Sequence, residues 1–132
     1  MLVASTSVFS ASLESLNKEQ FIKAFFDKTS VSIRSDDFNG QLSSNTFTMY
    51  LDDKGNVWGK LSGKLKSDPQ TDTGIYSLDK NGDCYVTWKH WYAGKKLCFR
   101  IFNTKNAYLS LECNNVFHTA YMKSNIQAGN HL

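Results

Sequence analysis

The spacing of apolar positions opens with one helix and then changes to alternation. Between Asn17 and Asp27, Phe21, Ile22, Ala24, Phe25 and Phe26 form a broad apolar stripe, with Lys18, Glu19, Lys23 and Asp27 elsewhere. That is the three-to-four spacing of an amphipathic helix. Asn17 is a good N-cap, Gln20 stands where it completes a capping box, and Leu16 and Phe21 occupy the staple positions around the cap. A stripe so rich in phenylalanine predicts packing against a core.

Beyond Thr29 the period is two. "NTFTMYL" sets Phe47, Met49 and Leu51 on one face and Thr46, Thr48 and Tyr50 on the other. The turn "DDKG" leads into "NVWGKLSGKL", where Gly59 and Gly63 mark a bulge, a bend or the close approach of a side chain. After the loop "KSDPQTDT" come "GIYSL", the turn "DKNG" and "DCYVTW". The connection "KHWYAGKK", then "LCFRIF", the turn "NTKN", "AYLSLEC" and "VFHTAYMK" complete the series.

About seven short strands joined by tight turns predict an antiparallel meander, because parallel strands need long crossovers. The expected fold is mainly β (α+β): a curved meander or small barrel of about seven strands, with one N-terminal helix packed on it. A bulged "DKNG" turn would set Leu78 opposite Cys84, Tyr76 opposite Val86 and Gly74 opposite Trp88. Trp88 is then structural, a tryptophan packed over a glycine. The domain is expected over residues 13–123, and the patternless "SNIQAGNHL", residues 124–132, reads as a mobile tail.

Composition narrows the setting. A chain of 132 residues has room for one core, and its nine Phe, six Tyr and three Trp suit strands. A net charge of +3, spread along the chain, does not point to nucleic acid, and Lys60, Lys64 and Lys66 read as a solvated strand face. Residues 1–12, "MLVASTSVFSAS", are uncharged and end in Ser10-Ala11-Ser12, which a signal peptidase could accept. They lack a basic n-region and are read as the remnant of an export signal or as a disordered N-terminal extension. No stretch approaches the roughly 20 apolar residues of a membrane span. A secreted or periplasmic monomer is expected.

Three segments, "FFDKT", "DDKGNVWGKLSG" and "GIYSLDKNGDCYVTW…LCFRIF", occur in an order that resembles a group of short exported bacterial proteins of uncharacterised function. The shared features are a helix ending in a "-KT-" step, a glycine-rich hairpin and a "G-x-W/Y…C-x-x-W…C-[FY]" core. The likeness covers about residues 16 to 110; the connection "KHWYAGKK", the third cysteine and the last strand depart from it. The resemblance implies an exported, lipocalin-like β fold. It supplies no catalytic residue.

An exported chain with three cysteines predicts one disulfide and one thiol left over. If Lys105 and Asn106 form the loop of "NTKN", Thr104 faces Ala107 and Cys98 faces Cys113, within the roughly 4.5–5.5 Å that facing residues allow. The resemblance favours Cys98 with Cys84 instead, although a plain hairpin leaves Cys84 roughly 10 Å along the strand from its partner. Both pairings stay open, with Cys84–Cys98 placed first.

Other chemistry finds little support. The cysteines show no metal-binding spacing with His90 or His118, which read as surface or rim residues, so no metal or cofactor is expected. The aspartates at Asp36–Asp37, Asp52–Asp53, Asp79 and Asp83 belong to turns, and Glu112 reads as an outward partner of Arg100. No catalytic residue is assigned. Trp91 and Tyr92, flanked by His90, Lys95 and Lys96, form either an exposed recognition patch or a lid folded over a barrel end. With Trp58 and Trp88 nearby, they make the candidate site. The expected function is a non-enzymatic exported binding module for a protein, a glycan or a small apolar ligand. Alternatives are a secreted effector or inhibitor acting on another organism's enzyme or surface and, last, a small hydrolase-like enzyme.

Overall fold

A computed structural model describes residues 13–35, 46–62 and 70–132. Residues 1–12, for which an export-signal remnant is one reading, and Asp36–Asp37, Gly63, Lys64 and Lys66 lie outside the described residues.

The elements are β1 (Glu14–Ser15), α1 (Lys18–Phe25), β2 (Lys28–Ser35), β3 (Thr46–Leu51), β4 (Asn56–Ser62), β5 (Thr71–Leu78) and β6 (Cys84–Trp88). A 3₁₀ segment (Trp91–Gly94) precedes β7 (Lys96–Asn103), β8 (Ala107–Glu112) and β9 (Phe117–Met122). A last 3₁₀ turn (Lys123–Asn125) leads to β10 (Gln127–Ala128). Each strand from β2 to β9 pairs antiparallel with the next, and β2 also pairs with β9. The result is a closed, eight-stranded, up-and-down barrel, the closed form of the expected meander. Closure leaves no free edge among these eight strands.

The eighth barrel strand, β2, has no counterpart in the sequence reading. Its inward positions include Ser30 and Ser32, both buried. Serine at core positions conceals the apolar alternation on which the reading depends. The helix, expected to reach Asp27, ends at Phe25; Asp27 turns left-handed (φ 55°) and the chain enters β2. At its start the Asn17–Gln20 capping box forms as expected, with both bonds at 2.9 Å.

The segment that carries α1 crosses the end of the barrel where β3 finishes. Leu16 N–H donates to Ile101 C=O at 2.8 Å, and Asp27 N–H donates to Leu51 C=O at 2.7 Å. Phe21 and Phe25 are fully buried there, and Phe25 packs on Tyr108 and Tyr121. Burying each of these rings stabilises the fold by about 1.5–3 kcal/mol. This end of the barrel is plugged.

The tail read as mobile is tied to β2. Beyond the β10–β2 pairing, Gly129 N–H donates to Asp27 C=O, Thr29 Oγ1–H donates to Gly129 C=O, and His131 N–H donates to Thr29 Oγ1. Its order comes from backbone and hydroxyl groups, so apolar spacing gave no sign of it.

The predicted registers Leu78–Cys84, Tyr76–Val86 and Gly74–Trp88 all form. The disulfide joins Cys98 to Cys113, with Cα atoms 5.4 Å apart, and corrects the preferred Cys84–Cys98 pairing. The reason is facing. Cys98 lies opposite Tyr85, while Cys84 lies opposite Phe99 and points into the barrel. Arg100 also has a different partner. It sits opposite Leu111 and donates from Nε and Nη2 to the two carboxylate oxygens of Asp83, both at 2.9 Å, so Glu112 is not its mate.

Candidate functional site: the barrel cavity and the connection that closes it

Inward positions follow from strand parity. Phe47, Met49 and Leu51 of β3, Val57 and Leu61 of β4, Val86 and Trp88 of β6, and Phe99 and Ile101 of β7 line the interior. They leave a cavity of about 60 Å³. This is several times the roughly 10–15 Å³ that one water needs and well below the roughly 300–1,000 Å³ of a pocket for a drug-sized ligand. Its polar lining is sparse: Ser110, His118, Tyr121, Tyr92 and the Cys84 thiol.

His118 owes its place to a bulge. Thr119 pairs with Ser110 and Phe117 with Leu111, so His118 is the extra residue on β9 and turns into the cavity. Its ring lies 4.8 Å from that of Phe99. This corrects the surface-or-rim reading of His118, because a bulge of this kind has no mark in the sequence. Burial raises the Tyr121 hydroxyl above the ordinary tyrosine value and pushes the Cys84 thiol up to about 12. A thiol in that state stays protonated at neutral pH and is a poor nucleophile. On β2, opposite Met49, Ser30 Oγ is a buried side-chain oxygen with no hydrogen-bond partner among the described residues.

The connection between β6 and β7 closes the other end. Of its two readings, the folded-back one holds: Trp91 is 1% exposed and stands inside the barrel. Its ring is 4.7 Å from that of Trp88 and 5.9 Å from that of Phe47. Gly59 makes the space. A Cβ there would come within 2.6 Å of Trp91, 2.7 Å of Trp88 and 2.9 Å of Phe47. Of the options read for Gly59, close approach of side chains is the one that occurs. The Trp88 ring therefore extends over Gly59, while Gly74 meets the backbone of β6.

Asp72 holds the connection, and sequence reasoning missed it. Its side chain is 2% exposed. One carboxylate oxygen accepts the His90 and Trp91 amides at 2.7 and 2.9 Å, and the other meets His90 Nδ1 at 3.1 Å. Burial raises the Asp72 pKa, but the amide and imidazole hydrogen bonds together outweigh it and hold the carboxyl below its usual value. The available signal was parity: Asp72 shares a face with Gly74 and Tyr76, where a carboxylate needs buried donors.

The connection itself is strained. Tyr92 (φ 55°), Ala93 (φ 54°) and Gly94 (φ 69°) are three successive left-handed residues, and the first two are not glycine. Such a backbone costs roughly 1–2 kcal/mol for each non-glycine residue.

The candidate residues thus divide by side of the wall. Trp88, Trp91 and Tyr92 face the cavity. Trp58 lies outside against Tyr50, at 5.6 Å between rings, and His90 shares an outer groove with it; the His90 ring is 60% exposed. Lys95 and Lys96 are exposed, with Lys96 Nζ over the Tyr85 ring at 5.1 Å. Among the described residues, the one trio with metal-ligand spacing is Asp83, Cys98 and Cys113. Its sulfurs are bonded to each other and its carboxylate is held by Arg100.

Fold and site together define a closed β-barrel with one plugged end, a small aromatic-lined cavity and a tethered connection over the other end. No protein-family model, curated protein or solved structure matches the chain. No helix among the described residues is long and apolar enough to cross a membrane.

Proposed function

We propose that the protein is an exported, non-enzymatic carrier or sensor that binds a small, mainly apolar ligand inside the barrel. The observation that carries this reading is the cavity between Phe47, Trp88, Trp91 and Phe99, with His118 turned inward by the β9 bulge. Eight-stranded up-and-down barrels are wide enough to hold one small ligand. An apolar wall with few polar groups suits binding and orientation. The disulfide fits a non-reducing compartment, in line with the resemblance to short exported lipocalin-like proteins.

Xenon and toluene test the cavity directly. Methyl NMR of Leu51, Val57, Leu61 and Val86 is expected to shift on exposure to either probe, with the methyls of exposed Ile75 unmoved. Uniform silence of the interior methyls with both probes would sink the reading.

A second reading, recognition of a macromolecule such as a target enzyme, is favoured by the outer surface. Trp58 there shares a groove with Lys60, Lys89 and His90, and Ile75 nearby is 63% exposed. Substituting Trp58→Ala and Ile75→Ser separates the two, since neither side chain lines the cavity.

A further inference from the structure

We propose that Trp91 is an exchangeable wall of the cavity: its indole occupies a seat that a planar aromatic ligand takes when the connection tethered by Asp72 lets go. The proposal rests on the reading of the barrel interior as a ligand site and names the ligand class.

The seat has the shape of a flat ring. Phe47 meets the Trp91 indole steeply, with 67° between ring planes, Trp88 is tilted by 57°, and Gly59 removes the side chain that would otherwise fill the space. Aromatic rings favour such tilted and edge-on partners, so another planar ring would be welcome on the same walls. The 60 Å³ beside the seat does not by itself admit a substituted aromatic molecule. Seat and cavity together do, and Ser110, His118 and Tyr121 face the joined space. The ligand class is therefore a planar aromatic compound with a polar edge.

The tether is built to release. Lys89 N–H bonds to Thr73 C=O and Lys95 N–H to Tyr92 C=O, but His90 and Trp91 spend their amide N–H groups on the Asp72 carboxylate. Between these points Tyr92 and Ala93 carry backbone strain that exists while the indole is seated and that a freed connection sheds. The seated state is thus stabilised by ring burial and the Asp72 bonds and destabilised by the backbone strain it carries, so modest changes on either side shift the balance.

The population of released protein sets the apparent affinity for any ligand that uses the seat. Two substitutions outside the cavity lining must then act in opposite directions. Ala93→Gly removes strain from the seated state and should weaken binding of indole about fivefold. Asp72→Asn loosens the tether and should strengthen it about fivefold or more. In protein labelled with 5-fluorotryptophan, the fluorine signal of Trp91 should move to a solvent-exposed position on saturation with indole. The Trp58 signal should stay in place.

If indole binds and moves the interior methyls while Trp91 stays buried and both variants bind within twofold of the parent, the exchange is wrong and the cavity reading stands. If indole binds neither the parent nor Asp72→Asn, the exchange is likewise wrong, and xenon entry decides separately whether the cavity reading survives. Ala93→Gly is expected to fold at least as well as the parent, so the test does not depend on a weakened variant.

Discussion

Replacing Asp72 with alanine tests how the barrel end is closed. The carboxylate accepts three hydrogen bonds, at 2.7, 2.9 and 3.1 Å, from two amides and an imidazole nitrogen. Hydrogen bonds to a charged group contribute roughly 1.5–3 kcal/mol each, and burial of the charge opposes them. The variant loses all three, regains the desolvation cost and takes the Asp72 acceptor away from the buried Trp91 amide. A net loss of about 2–4 kcal/mol follows. In urea melts the midpoint should fall with the slope unchanged. Acrylamide quenching of tryptophan emission should rise as Trp91 becomes accessible.

The pH dependence gives a second arm to the same test. The folded pKa of Asp72 lies below its unfolded value, so its contribution is complete above the ordinary aspartate range near about 3.9 and is lost as pH falls through the folded value. The difference in stability between parent and Asp72→Ala should therefore be constant from neutral pH to about pH 4 and shrink below that. A variant within about 0.5 kcal/mol of the parent, or a difference that does not change below about pH 4, would refute the assignment.

Four further outcomes follow from named contacts. Gly59→Ala places a methyl against Trp91, Trp88 and Phe47 and should cost about 1–3 kcal/mol by overpacking, measured by thermal melting. Ser30→Ala removes a buried hydroxyl that has no partner among the described residues and should be neutral or stabilise by about 1 kcal/mol; a clear loss would show that the hydroxyl is satisfied in solution. Removing the Cys98–Cys113 link, which spans a separation of 15 residues, should cost about 3 kcal/mol. In the parent, alkylation without reductant should modify Cys84 alone, and only after unfolding.

Strong apolar alternation and local turn chemistry made most of the barrel readable. Phe47, Met49 and Leu51 revealed β3, and the "DKNG" turn fixed the register of β5 on β6. β2 was unreadable because its core positions are serines, and barrel closure depends on that strand. At the site, the aromatic crowding around Trp91 was legible but its direction was not. Nothing local distinguishes a tryptophan at a loop tip from one drawn inward by a carboxylate 19 residues earlier. Asp72 looked like a loop residue because it sits in the polar run "KSDPQTDT"; its parity with Gly74 and Tyr76 was the faint signal, and its pairing with Gly59 shows it to be strand.

The other connections show why this one bears on function. In the "DDKG" and "DKNG" turns, Asp52 and Asp79 accept amides from their own loops, and glycines at 55 and 82 take the left-handed positions. Elsewhere among the described residues the left-handed non-glycine positions are Asp27 and Asn115, types that tolerate the conformation. Among the described residues, only Tyr92 and Ala93 place ordinary side chains there, in succession, where glycine would relieve the strain. The same connection depends on a buried carboxylate from another hairpin and delivers an indole into the cavity. Selection for stability alone would remove that strain, since a glycine at position 93 is a single substitution. A requirement that Trp91 be able to leave its seat explains why the strain persists beside the cavity and is missing from the tight turns.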